Sequence, residues 1–360
     1  MKSTVDLLRS RMREQGIDLA IISDPTSIAY LTNFQSDPHE RQFFFFLPLE
    51  GSPTLFTPEL DRDRAKAFVS YNIVSYHDSE NPWQKIQSFL SRERYRIGLE
   101  FQHLRLRQYY ELMQILTGQI VDLSPTIEQI RLYKTPAELE LLRKAGQMAD
   151  HALSLGFEAI AKGKTELDII AAIEGPLRSQ DVSMSFETMV LADRHAADPH
   201  GIPTNRPLKN KSLLLFDLGT WHQGYASDVS RTVALGQPTV LQATIYDIVR
   251  EAQLAAIDAI KPGVTAGQID AVARDIITKA GYGEYFNHRL GHGIGRSLHE
   301  FPSINQGNPL VLEEGMTFSV EPGIYLPNKV GVRIEDCGVV TKTGFETFTH
   351  TPKELLKIKL

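Results

Sequence analysis

The sequence predicts an α+β protein in two parts: an α/β domain over residues 1–124, then a larger domain, 125–360, in which strand hairpins are separated by long amphipathic helices. Three observations carry that reading. The first part alternates short apolar runs with segments of helical periodicity. The second part opens on two capping boxes, Thr135-Pro136-Ala137-Glu138 and Thr165-Glu166-Leu167-Asp168, each ahead of a long periodic segment. Apolar strands also bracket the turns His222-Gln223-Gly224 and Leu326-Pro327-Asn328-Lys329. A chain of 360 residues, 42% apolar, can bury two sizeable cores.

In chain order, Val5, Leu7, Leu8 and Met12 predict a helix over 5–15, stopped by Gly16 before a strand at 19–22. Further strands are expected at 43–49, 54–57, 73–76, 97–100 and 119–122, with helices over 59–69, 83–90 and 104–116. Leu123-Ser124-Pro125-Thr126 marks the domain boundary. Beyond it, helices are expected from Thr135 to about Ile160, then over 166–180, 240–260 and 266–280. Strands are expected at 184–191, 212–217, 225–235, 316–321 and 331–341, and no internal repeat interrupts the series.

Composition excludes several functions. The net charge is −6 and Lys/Arg form no long run, which argues against nucleic acid or an anionic membrane as partner and favours a small substrate. Cys337 is the only cysteine, so no intrachain disulfide exists, and residues 1–20 lack a signal-peptide h-region; a cytoplasmic location is expected. The apolar run at 43–47 is too short to cross a membrane and reads as a buried strand. The polar loop Ser36-Asp37-Pro38-His39-Glu40-Arg41 reads as a solvated turn.

The chemistry concentrates in the second part. If the hairpin closes at His222/Gln223, Asp217 and Asp228 face each other across antiparallel strands, within roughly 5 Å. Two carboxylates that close must share a proton or a metal. Glu321 and Glu335 straddle the second turn in the same way. Between the pairs, Gly291-His292-Gly293 presents an imidazole with no side chain beside it. Each residue alone has an ordinary reading as a cap, a turn former or a surface group. Together, four acids and one histidine at the ends of paired strands would repel one another without a cation.

These residues resemble the pita-bread metallopeptidases, the family of methionine aminopeptidase, aminopeptidase P and prolidase. The family's ligands match Asp217, Asp228, His292, Glu321 and Glu335 in order and motif, and the likeness spans the whole C-terminal domain. Residues 1–124 are similar to the N-terminal domain of the creatinase/prolidase/aminopeptidase P branch. Gly291-His292-Gly293-Ile294-Gly295 followed by Leu298-His299-Glu300-Phe301-Pro302 looks most like bacterial Xaa-Pro dipeptidases. Ser230 stands where the family usually carries threonine, and Arg296 where an apolar residue is commoner.

The resemblance implies two divalent ions, manganese first with cobalt, zinc or iron as alternatives. Asp217 would chelate one, Asp228 and Glu335 would bridge both, and His292 with Glu321 would complete the other. It implies Glu321 as general base, and His200, His288 and His299 as hydrogen-bond partners of the scissile amide and oxyanion. Arg333 is the first candidate to hold the proline carboxylate of an Xaa-Pro dipeptide; its alternative role is to support the ligand carboxylates. Arg296 and then His39 follow as substrate-binding candidates. Relatives are commonly homodimers, and the loop Asp37-Pro38-His39-Glu40-Arg41 is the candidate for reaching the partner's site. The competing activities are an Xaa-Pro aminopeptidase acting on longer peptides and a non-catalytic binding relative, which would have lost ligands.

Overall fold

The computed structural model describes residues 3–90, 94–199 and 201–360, and the chain divides into two compact units, Met1–Arg131 and Leu132–Leu360.

In the first unit, α1 (Thr4–Gln15) begins on a Ser3/Asp6 capping box and ends at Gly16, whose φ of 65° is left-handed. Then come β1 (Leu19–Ile22), α2 (Pro25–Thr32), β2 (Phe44–Pro48), β3 (Thr54–Pro58), α3 (Arg62–Lys66), β4 (Asn72–Tyr76), α4 (Pro82–Phe89), β5 (Arg94–Leu99), α5 (Leu106–Ile115), β6 (Thr117–Asp122) and α6 (Ser124–Leu132). The six strands form one sheet in the order β4-β3-β2-β1-β5-β6. β2 is antiparallel to both neighbours and the other pairings are parallel. Helices lie on both faces, so β2 is apolar throughout: Phe45 packs with residues of α1, α2 and α6, Phe44 and Phe46 with residues of α4 and α5.

Two expectations are corrected here. The boundary does not follow Ser124, because α6 buries Ile127 and Ile130 beside Leu123 in the first core. Helix α2 was not expected, since six of its eight residues are buried and a helix buried on nearly all sides has no amphipathic period. Its only local sign is the cap, where the Asp24 carboxylate accepts from Thr26 and Ser27 N–H ahead of Pro25. The Ser36–Arg41 loop is held at both ends, by Ser36 Oγ on Asp61 and by the Arg41 fork on Asp78.

In the second unit, α7 (Pro136–Glu158), α8 (Glu166–Ser179), α9 (Val240–Ala259) and α10 (Ala266–Lys279) each start on a threonine capping box. Strands β7 (Ser183–Met184), β8 (Met189–Ala192), β9 (Ser212–Leu218), β10 (Thr220–His222), β11 (Tyr225–Ala226) and β12 (Val229–Leu235) lie between α8 and α9. After α10 follow β13 (Gly291–Gly293), β14 (Glu300–Ile304), β15 (Thr317–Val320), β16 (Gly323–Leu326), β17 (Val330–Arg333), β18 (Glu335–Val340), β19 (Phe345–Thr347) and β20 (Lys357–Ile358). The main sheet runs β14-β13-β15-β18-β12-β9-β8, with β19 added to β18 and β20 to β12; β11-β10-β7 and β16-β17 form two small sheets. Every pairing but β12/β20 is antiparallel.

Three expected strands are each two. Residues 184–191 divide into β7 and β8, 225–235 into β11 and β12, and 331–341 into β17 and β18. At each break the chain passes from a small sheet to the main one. Every residue over 225–235 and 331–340 is buried, so burial does not mark the last two breaks and the hydrogen-bond partners do. At the second break Ser227 N–H donates to Thr220 O, and its hydroxyl accepts from Thr220 N–H at 2.9 Å, closing off the small hairpin just before Asp228.

Candidate metal centre

Three neighbouring strands of the main sheet bring the acids together. Ser230 on β12 pairs with Asp217 on β9 and with Glu335 on β18. Asp217 therefore faces Ser230, not Asp228 as the simple hairpin implied; Asp228 lies diagonally, two residues earlier on the same side as Ser230. For the second pair the expectation holds. Val320↔Asp336 and Gly323↔Arg333 belong to one continuous register, in which Glu321 is opposite Glu335.

His292 comes from β13, between β14 and β15. Its flanking glycines are required by backbone contact: a Cβ on Gly291 would lie 1.8 Å from Ser319 O, and one on Gly293 2.3 Å from Phe301 O. Ser319 ties two of the gathered groups together, accepting from His292 N–H and donating to Glu321 Oε1, both at 2.9 Å.

Ligand atoms of Asp217, Asp228 and Glu335 lie within 4.8 Å of one another, as do those of His292, Glu321 and Glu335, and those of Asp228, His292 and His299. Burial drives the Asp228 and Glu335 carboxyls well above the ordinary range, and their carboxylate neighbours push them further. Burial raises Glu321 to about 7. It lowers His292 to about 3, so this imidazole is neutral. Its Nδ1, 3.1 Å from Gly293 O, donates to that carbonyl, which turns the Nε2 lone pair towards Asp228 Oδ2 at 3.6 Å and Glu321 Oε1 at 3.3 Å. A lone pair aimed at two carboxylates is repulsive unless a proton or cation lies between them.

A divalent metal fits this arrangement. Among the described residues the buried carboxylate oxygens with no donor are Asp217 Oδ1, Asp228 Oδ1 and Glu335 Oε1, all from this cluster. Donors that each sit about 2.1 Å from one small ion lie roughly 3.0–3.5 Å apart, close to the 3.3 and 3.6 Å found around His292 Nε2.

Arg333 braces the centre. Its Nη2 donates to Asp217 Oδ2, Nη1 to Tyr325 Oη at 2.7 Å and Nε to Ser230 Oγ at 2.9 Å. The Ser230 hydroxyl in turn donates a hydrogen bond to Glu335 Oε2 at 2.7 Å, so it links the guanidinium to a second carboxylate. Burial opposes the guanidinium charge, but Asp217 and its other neighbours outweigh that and hold it firmly protonated. Arg333 thus has the geometry of a support for the ligand carboxylates, the alternative weighed for it, with its fork spent inside the protein.

His288, kept neutral at about 4 by burial, donates from Nδ1 to Arg289 O and accepts from Tyr325 Oη at 3.1 Å. His299 is exposed, its ring 3.8 Å from that of His292. Arg296 lies over Tyr225, whose hydroxyl accepts from Arg296 Nε at 3.3 Å and donates to Glu138 at 2.9 Å. His39 belongs to the first unit, exposed beside Asp37 at 3.5 Å. His200 lies outside the described residues.

The role of Tyr325 escaped sequence reasoning, although its place four residues after Glu321, in the strand paired with that of Arg333, was a usable signal. His195 is paired with buried Glu166 at 3.1 Å and with Arg206 at 2.9 Å.

The pattern of metallopeptidase family M24 matches residues 140–342, and that of the creatinase/prolidase N-terminal domain matches 5–133. The chain belongs to metallopeptidase family M24. Its second unit is the pita-bread fold of that family, a curved antiparallel sheet covered by helices, and membership implies divalent metal ions. Among its M24 relatives, the chain is 50% identical to the Xaa-Pro dipeptidase of Lactobacillus helveticus, over 98% of each chain. The crystal structure of a prolidase from Thermococcus sibiricus is 32% identical with a TM-score of 0.93, over 99% of this chain and 100% of that one. An Xaa-Pro dipeptidase structure from Bacillus anthracis is 33% identical with a TM-score of 0.90, over 99% of each chain.

Proposed function

We propose that this M24 enzyme is an Xaa-Pro dipeptidase that hydrolyses the bond before a C-terminal proline. The observation that carries the reading is the cluster of Asp217, Asp228, His292, Glu321 and Glu335, three of its buried oxygens without donors, in a chain 50% identical to an Xaa-Pro dipeptidase from end to end.

In this reading Asp217, with Asp228 and Glu335, would hold one divalent ion, and His292 and Glu321, with the same two shared carboxylates, would hold the other. Carboxylate-rich ligation with a single imidazole suits manganese first. Two such ions, when bound, make water nucleophilic at neutral pH and polarise a carbonyl. Glu321, which keeps 16% side-chain exposure, is the residue to take a proton from water and return it to the proline nitrogen. Arg333 and Ser230 hold Asp217 and Glu335 in place. His299 stands exposed beside His292, where it can donate to a developing oxyanion. Homodimerisation and a cytoplasmic location belong to the same proposal, with light scattering and cell fractionation as their checks.

The test is hydrolysis of Leu-Pro by the purified protein, by the chelated protein, and after manganese is restored. Loss and recovery of turnover are expected. Undiminished hydrolysis by protein shown metal-free by elemental analysis would overturn the reading. Cleavage of Leu-Pro-Pro as fast as Leu-Pro would move the assignment to an aminopeptidase.

A further inference from the structure

A buried ion pair lies outside the cluster of acids. Lys134 Nζ is 2.6 Å from Glu300 Oε1, and the two side chains are only 2% and 7% exposed. Lys134 immediately precedes the Thr135 cap of α7, and its N–H donates to Gly315 O at 2.9 Å, so its backbone is anchored on both sides.

Glu300 follows His299 and opens β14. Its second oxygen accepts from Ser297 N–H at 3.2 Å. The carboxylate also fills the space beside Gly295, where a Cβ would come within 2.5 Å of Oε1. One carboxylate therefore ties the beginning of the 295–300 turn to its end, and Lys134 ties that turn to the start of α7. His299 sits inside this turn with its side chain exposed, so backbone placement, more than packing, determines where the ring lies relative to His292.

We propose that Lys134 and Glu300 are a positioning pair that fixes His299 beside His292. The proposal rests on the peptidase reading for its effect on turnover. Neutralising one partner alone unbalances a buried ion pair and endangers folding, whereas neutralising both keeps the charges balanced. The principal variant is accordingly Lys134→Met with Glu300→Gln.

That double variant is expected to fold with wild-type metal content and to hydrolyse Leu-Pro about 10- to 100-fold more slowly, the scale of loss when a reacting group shifts by about 1 Å. In a His299→Ala background the same two substitutions should change kcat by less than about twofold, because a pair acting through His299 has nothing left to position. Lys134→Arg, which keeps the charge, should retain most of the activity lost in Lys134→Met. Wild-type turnover in the double variant, or an equal loss with and without His299, would overturn the proposal.

A crystal structure of the double variant gives a readout independent of turnover. Displacement of the His299 ring from His292 supports the pair's role, and an unmoved ring refutes it. Failure of the unmodified protein to cleave Leu-Pro would count against the peptidase reading alone.

Discussion

Replacing Glu321 by glutamine should change stability in opposite directions with and without metal. In the metal-free protein burial holds this carboxyl at about 7, against 4.5 for an ordinary glutamate. A folded value above the unfolded one means that the protonated form is the one the fold favours. Its contribution is intact below about pH 4.5 and is lost as pH rises through 7. Once both states have ionised, at pH 8, the difference destabilises the metal-free fold by about 3 kcal/mol; at pH 5 less than about 1 kcal/mol of that has developed. Glutamine mimics the protonated acid in carrying no charge at this position, where an oxygen must still accept from Ser319 Oγ. Glu321→Gln should therefore be more stable than wild type by about 3 kcal/mol at pH 8 in chelator, with the gap mostly closed at pH 5. With manganese bound the order should reverse, since the substitution removes a ligand and with it part of the linkage stabilisation. Urea denaturation at both pH values, with and without metal, measures all four quantities. The reasoning fails if Glu321→Gln destabilises the metal-free protein at pH 8 as much as at pH 5.

Three further outcomes are expected. Asp228→Ala and Glu335→Ala should each abolish Leu-Pro hydrolysis and lower metal stoichiometry, which elemental analysis checks; normal turnover in either would undo the ligand assignment. Arg333→Ala should reduce turnover and metal retention together while keeping the wild-type preference for Leu-Pro over Leu-Pro-amide, because its fork is directed at Asp217, Ser230 and Tyr325; collapse of that preference with metal still bound would restore the anchor role. Tyr325→Phe removes the hydroxyl between Arg333 and His288 and should cost about 1–3 kcal/mol of stability, read from thermal or urea unfolding, by leaving a buried donor and acceptor unpaired; an unchanged unfolding midpoint would show that water replaces it.

Local chemistry carried much of the architecture. Thr135/Glu138 and Thr165/Asp168 mark the starts of α7 and α8 because a capping box is complete within four residues. The apolar run at 43–47 is a strand buried on both faces, and Glu321 opposite Glu335 follows from counting residues out from one tight turn. The five candidate ligands were legible for the same reason, since each lies at or beside a strand end and acids there are costly without a cation.

What the sequence could not decide is where one sheet stops and the next begins. The change at Ser227-Asp228 falls inside a continuously buried stretch, yet it sets Asp217 opposite Ser230 and makes Asp228 its diagonal neighbour. Contacts between residues distant in sequence are equally silent. That Arg333 spends its fork on Asp217, Ser230 and Tyr325, that His195 pairs with Glu166, and that Lys134 reaches Glu300 depend on which surfaces tertiary packing brings within 3 Å or so. A side chain's type and strand position state what it can do and which face it leaves from; only the folded chain determines the group it meets.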